Sequence, residues 1–219
     1  MGNKVFNKVI ITVPSTEQAL ADKQKLIDLI KDIEAEKAPH GMTDVFEIFA
    51  AKPNNRQGKV DPSELELFQT DEDAWRWARW GCRWSTPWQG DSVIVADPEQ
   101  YIEQLELQIR TNNGIAIWAF VAASQGLGHS DINIDMSNWH FSFEGIELFN
   151  GDLWRGQIQQ GLLMGYEAKP TDCGTAGHYR DPDEQPSLNA KWHLANYCMP
   201  WDQELAKAKK SPLFAMKSA

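Results

Sequence analysis

Cysteine is scarce in this chain, long apolar runs are missing, and wide tracts carry no basic residue. Among 219 residues there are three cysteines, Cys82, Cys173 and Cys198. An odd, sparse set of this kind excludes a disulfide framework and fits a reducing compartment. No apolar run approaches the roughly 18–20 residues that span a bilayer, so no membrane span is expected. Met1–Val13 lacks the basic segment, apolar core and cleavage site of a secretory signal. The expectation is a soluble protein of the cytoplasm. No segment has the context of a nucleophile elbow, a Walker loop or a zinc-protease helix. Internal repeats and low-complexity tracts are absent too.

The missing positive charge is local as well as global. The formal net charge is −10. From Thr111 to Trp154 there is no Lys or Arg, while Asp131, Asp135, Glu144, Glu147 and Asp152 are present. From Val60 to Trp75 there are six acids, including Asp71, Glu72 and Asp73, and no base. Such strips repel phosphate backbones, so direct nucleic-acid binding is not expected. They read either as a solvated face or as a patch that docks on a basic protein.

What the chain has in plenty is apolar and aromatic residues, 42% and 11% of the total. That is enough for a real core, and the length suits one domain with an appendage. Five of the ten tryptophans fall at Trp75, Trp77, Trp80, Trp84 and Trp88. Arg76, Arg79 and Arg83 interleave with them, and arginine over indole is a favourable contact. The window is either a packing nucleus or an aromatic platform for a partner, with Trp75 and Trp88 as anchors.

Patterning suggests an α+β chain. Val5–Val13 reads as a strand, and Ser15 with Gln18 as the capping box of a helix with a Leu26, Leu29, Ile30, Ile33 stripe. Val45–Phe49 is a short apolar run, strand or helix turn. Thr70 with Asp73 caps a helix through Trp80 that Gly81 ends. Arg83–Pro87 reads as a loop and Ser92–Ala96 as a strand. Asp97-Pro98 opens a second helix lined by Tyr101, Ile102, Leu105 and Ile109. Ile115–Val121 is apolar throughout and reads as a central strand. Ile132–Met136 and Trp139–Phe143 alternate like strands, with a phase slip at Glu144-Gly145 that suggests a bulge. Asn150-Gly151 marks a hairpin. This order predicts a ferredoxin-like antiparallel sheet with two helices on one face, plus an extra hairpin. Residues 1–160 form that domain, and 161–219 a loop-rich C-terminal extension packed on it.

Two further constellations carry chemistry. Cys173, His178, His193 and Cys198 are competent zinc ligands in the spacing C-x4-H-x14-H-x4-C. His193 and Cys198 lie five apart, so a helix end must fall between them for both to reach one ion. Otherwise no cofactor is expected. Gly126-Leu127-Gly128-His129-Ser130-Asp131 is glycine-rich after an apolar run, but no Lys follows, so it reads as a mobile loop rather than a phosphate cradle. His129 and Asp131 join His140 in a metal or acid–base cluster only if the fold brings them together.

Three pieces resemble the YubB-type ferredoxin-like domain family of plasmids and phages. The opening MGNKVFNKVIITV is similar to that family's M-x-N-x-V-x-N-x-L-T-V start, with Asn3 and Asn7 flanking Val5. Trp80-Gly81-Cys82-Arg83-Trp84 looks like its W-G-T-K-W signature, with Cys82 in place of Thr. Phe143-Glu144-Gly145 followed by Asn150-Gly151 resembles its late F-x-G strand and N-G turn. The family's A-W-S-P-P stretch has no counterpart here. The resemblance implies a ferredoxin-like fold and a mobile-element origin, and carries no catalytic motif. With the acidic strips it leads to a non-enzymatic interaction protein of a phage or plasmid whose partner is a host protein with a basic surface. A specific form is an inhibitor of a host defence or DNA-processing complex. The alternative is a zinc-stabilised module or small metal-dependent enzyme built on the four Cys and His residues.

Overall fold

Lys4–Thr12 (β1) alternates strictly, with Val5, Asn7, Val9 and Ile11 buried and the residues between them half-buried or exposed. A period of two puts those four on one face of a strand, and that face must be covered. The computed structural model describes residues 4–56, 60–87, 90–95, 101–112, 116–147 and 152–170. In it β1 is central. It pairs antiparallel with Gln104–Asn112 (β3) from Lys4↔Asn112 to Thr12↔Gln104, and with His140–Glu147 (β4) from Val5↔Glu147 to Thr12↔His140. Ser85–Pro87 (β2) flanks β3, and Asp152–Gln159 (β5) and Leu162–Pro170 (β6) extend the sheet beyond β4. The result is a six-stranded sheet in the order β2-β3-β1-β4-β5-β6, antiparallel at every pairing. β6 carries it past residue 160; residues 171–219 lie outside the described residues.

The helices cover one face. Glu17–Glu34 (α1) and Ile117–Ser124 (α5) bring Leu26, Leu29, Ile30, Ile117 and Phe120 into a single core with Val5, Val9, Ile11, Leu107 and Phe141. Between α1 and β2 the chain forms Phe46–Phe49 (α2), Pro62–Thr70 (α3) and Glu72–Trp80 (α4). No helix among the described residues is long and apolar enough to cross a membrane.

Several expectations change. The helix expected to run from Asp97 to a stop at Asn113-Gly114 and the strand expected at Ile115–Val121 are exchanged. Residues 96–100 and 113–115 lie outside the described set, but Gln104–Asn112 is a strand and Ile117–Ser124 a helix. Leu105, Leu107, Ile109 and Thr111 are all buried, so the period there is two and not 3.6. Every residue of α5 is buried, and a continuous apolar run does not distinguish an enclosed helix from a central strand. The described residues of Ser92–Ala96 form no named strand but bond to β3 around the isolated bridge Ile94↔Leu107, and Arg83–Pro87 contains β2 rather than only a loop. Ile132–Met136 is not a strand: Ser130–Ile132 is a 3-10 turn and a loop follows. No bulge interrupts β4 at Glu144-Gly145; Gly145 simply takes the buried position opposite Asn7. The register shift falls instead between Arg155 and Gln157. The β4–β5 hairpin is present, with Glu147 opposite Asp152, though its turn, 148–151, lies outside the described residues.

The caps also move by one residue. Thr16, not Ser15, caps α1 by accepting the Ala19 N–H at 3.2 Å; the Ser15 hydroxyl donates to Glu103 at 3.1 Å. Asp71, not Thr70, caps α4 through the Ala74 N–H at 3.1 Å, while the Thr70 hydroxyl donates back to Glu66 O at 2.8 Å. An aspartate at the cap and an acidic first turn suit the positive end of a helix. Gly81 closes α4 at φ 81°, as expected of a left-handed stop.

Candidate functional site

The tryptophan window is mostly interior. Trp75 and Trp80 are wholly buried and packed edge to face, 5.5 Å between ring centres. The Trp80 indole donates to Ala50 O at 3.0 Å, and the Arg76 guanidinium lies over its ring at 5.2 Å. Trp84 is 38% exposed, because Gly81 turns the chain away after α4. Trp75, expected as a partner anchor, is enclosed and serves packing. Trp88 lies outside the described residues.

The Trp75 indole donates to Glu64 Oε1 at 3.1 Å, and this opens a cluster that sequence reasoning missed. Glu64 sits on the first turn of α3 in the acidic strip, yet is buried. Its carboxylate also receives both terminal nitrogens of Arg56, at 3.2 and 2.7 Å, and Arg79 at 3.0 and 2.6 Å. Burial alone would raise the Glu64 carboxyl; the bonds and charges of Arg56 and Arg79 outweigh it and hold the group below its ordinary value. The neighbouring acids are engaged as well. Asp71 is a cap, Glu72 pairs with Arg76 at 2.6 Å, and Asp73 reaches Arg83 at 3.5 Å. The first strip is thus largely internal wiring.

A second polar cluster forms where the glycine-rich segment meets α2. It is anchored, not mobile. Gly126, at φ 74°, ends α5 with its N–H on Ala123 O, and the Leu127 N–H reaches Ala122 O, the paired bonds of a Schellman stop. Leu127 O then accepts the Ala51 N–H at 3.1 Å, and the His129 N–H donates to Ile48 O at 3.4 Å. A Cβ on Gly128 would lie 2.9 Å from Ile48 O, so glycine permits this close approach. No helix starts here, which removes the phosphate-cradle reading.

His129 and Asp131 do join a histidine, but it is His40 rather than His140. His140 lies on β4 between Thr12 and Gln159, facing away from the core. His40 lies in a 3-10 turn at φ 60°, ψ 16°, a left-handed conformation that is strained for a side-chain-bearing residue. Its Nδ1 is 3.3 Å from Asp131 Oδ2, and its ring centre is 5.4 Å from that of His129. His129 Nδ1 accepts the Asp131 N–H at 3.3 Å, so the neutral ring carries its proton on Nε2. That Nε2 is buried with no hydrogen-bond partner. Glu47, next to the Ile48 whose carbonyl accepts the His129 N–H, is 1% exposed, and its Oε1 takes Thr43 N–H and Oγ at 3.2 and 3.0 Å and Lys52 at 3.3 Å. Glu47 Oε2 is likewise buried and unbonded. Burial lowers the pKa of His129; Asp131 and Glu47 oppose that shift and His40 adds to it.

This cluster can take up and release protons. Ser130 is not poised as a nucleophile, since its hydroxyl is bonded to Asn55 O at 3.0 Å and Asp131 at 3.1 Å. No group of three or more metal-competent side chains occurs among the described residues. Cys173, His178, His193 and Cys198 lie outside them. Asp131 and Asp135 are both exposed; Asp135 accepts the Ser137 N–H at 2.9 Å and has no cationic partner among the described residues. A side-chain hydrogen bond with Ser137, followed by that backbone bond, holds its carboxyl below the ordinary value.

Among the residues behind the family resemblance, Asn7 has structural work, while Asn3, Asn150 and Gly151 lie outside the described residues. The buried Asn7 amide donates to Ile109 O at 3.1 Å and Thr111 Oγ1 at 2.9 Å, and Asn7 Oδ1 accepts the Ala116 N–H at 3.4 Å. It ties β1 to β3 and to the start of α5. Compared with protein-family models, curated proteins and solved structures, the chain matches none.

Proposed function

We propose that this chain is a non-enzymatic, acidic interaction protein of a phage or plasmid, and that it docks on a basic surface of a host protein. Inhibition of a host defence or DNA-processing complex is the specific form we favour. We further propose that the scaffold is an elaborated ferredoxin-like sandwich. The order β2-β3-β1-β4, with a helix after β1 and another after β3, supports this. In that reading β5 and β6 extend the sheet, and α2 to α4 are inserted before β2. The structural duties of Asn7 and of the Trp80-Gly81 stop are compatible with the YubB-type resemblance.

One observation carries the docking reading: the two acidic strips differ in how their charge is used. Glu64, Asp71, Glu72 and Asp73 are committed to partners within the chain. On the second strip Asp135 is exposed with no cationic partner among the described residues, and Asp131 is exposed beside His40, its one ion pair at 3.3 Å; both lie on a loop whose base is tied to α2 through backbone bonds. A charged loop held in place loses little ordering entropy on docking, and its field speeds encounter with a basic partner.

The test is cross-linking in host lysate to identify the bound protein, followed by affinity measurements on that purified protein. Asp131→Lys with Asp135→Lys should weaken binding at least tenfold, mainly through the association rate. Salt should weaken it too, because exposed charges are screened over about 8 Å at physiological ionic strength. Binding indifferent to both, or tight binding of free DNA or RNA with no protein captured, overturns the reading.

A further inference from the structure

We propose that His129 is a two-position switch: neutral, its ring holds the Asp131 loop shut; protonated, it gives up that bond and turns to the Glu47 carboxylate. The neutral position is the one observed. Nδ1 accepts the Asp131 N–H at 3.3 Å, and the residue is 4% exposed. A second ring proton must go on Nδ1, and would then point an N–H at an N–H. The acceptor is lost and the ring is driven off the loop. At the same moment it becomes a cation with little access to water, which costs heavily unless a carboxylate receives it.

The cluster contains that carboxylate. Glu47 Oε2 and His129 Nε2 are the two buried side-chain polar atoms without a partner among the described residues. Two unmet groups in one cluster, one acidic and one basic, are the makings of an alternative pairing. The other charges facing the ring set the balance. Asp131 and Glu47 attract the imidazolium. His40, whose ring is 5.4 Å away, opposes it when charged, and Lys52 competes for Glu47 at 3.3 Å while also reaching Glu72 at 3.8 Å. Burial holds the His129 pKa below its ordinary value, which places the change on the acid side of neutrality. The loop that moves is the one bearing Asp131 and Asp135, and it moves whether or not a partner is present.

Two readouts on the full chain test this. Imidazole 15N shifts should show His129 with its proton on Nε2 at pH 7.5 and on both nitrogens at pH 5. The hydrogen-exchange protection factor of the Asp131 amide should fall at least tenfold over the same range. His129→Gln should flatten that pH dependence. Glu47→Gln should move the transition to lower pH, because the receiving charge is gone. A His129 ring carrying its proton on Nδ1 at pH 7.5 overturns the proposal, and this needs no variant. So does an Asp131 amide equally protected at both pH values, or a Glu47→Gln protein with an unmoved transition.

Discussion

Two polar clusters lie beneath the helices, and they are built to opposite rules. Around Glu64 both carboxylate oxygens are taken, by two guanidiniums and an indole. Around Glu47 one oxygen is taken and the other is not, and the neighbouring His129 has an unmet nitrogen. The first cluster has one arrangement and therefore serves structure. The second has an alternative within reach and can respond to protons. Buried ionic groups are stabilising only when every member is satisfied.

The largest effect should come from breaking the satisfied cluster. Glu64→Ala strands two buried arginines and should cost about 3–5 kcal/mol in denaturant unfolding. Glu47→Ala should cost clearly less. Equal losses would erase the distinction between the clusters.

Trp80→Ala, next to the Glu64 cluster, should also cost about 3–5 kcal/mol, as for large aromatic deletions in cores. The half-exposed Trp84 should lose under about 1 kcal/mol on the same change. A melting temperature unchanged by Trp80→Ala would contradict the packing described.

Gly128→Ala sharpens the comparison from the other side. The added methyl meets Ile48 O at 2.9 Å, so the loop must shift, at about 1–3 kcal/mol. Thermal melts combined with exchange at the Asp131 amide would show whether the loss is confined to the second cluster.

A smaller effect should appear with pH. The His129 pKa is depressed in the fold relative to an ordinary 6.5, so below that value the unfolded chain binds the extra proton first. Stability from this group is present above about pH 6.5 and is lost as pH falls toward the folded-state pKa, by at most about 1.4 kcal/mol per pH unit. Glu64 is also depressed, from 4.5, so its contribution holds through that window and is lost only below it. Unfolding curves from pH 7.5 to 4 should show the His129 step, and His129→Gln should remove it.

The smallest effect belongs to Asp135→Lys, which should change stability by no more than about 0.5 kcal/mol because the side chain is exposed. A larger loss would make that loop part of the wiring.

Much of this was legible residue by residue. The β-branched run of β1, the apolar stripe of α1 and the Gly81 stop all read correctly, because each is a local rule. The start of α3 was equally legible and was missed: Asp61 caps Ser63 N–H at 2.8 Å and Pro62 follows at the first helical position. The same Asp-Pro signal at Asp97-Pro98 suggested a helix over a stretch whose later part is β3. Local start signals do not say how far an element runs when its neighbours supply hydrogen bonds.

Composition and pattern alone determined an α+β chain with a real core, two acidic strips and no apolar run of the length of a membrane-crossing helix. These depend on residue type and period, which solvent reads directly. Only the tertiary structure decided that Ile117–Ser124 is a buried helix, because burial on all sides hides periodicity, and that Gln104–Asn112 is a strand, because its hydrogen bonds come from β1 and β2. Only it turned Glu64 of the first acidic strip inward onto Arg56 and Arg79 and left Asp131 and Asp135 of the second exposed. And only it chose His40 over His140 as the companion of His129, since side chains 89 residues apart meet through packing that no spacing encodes.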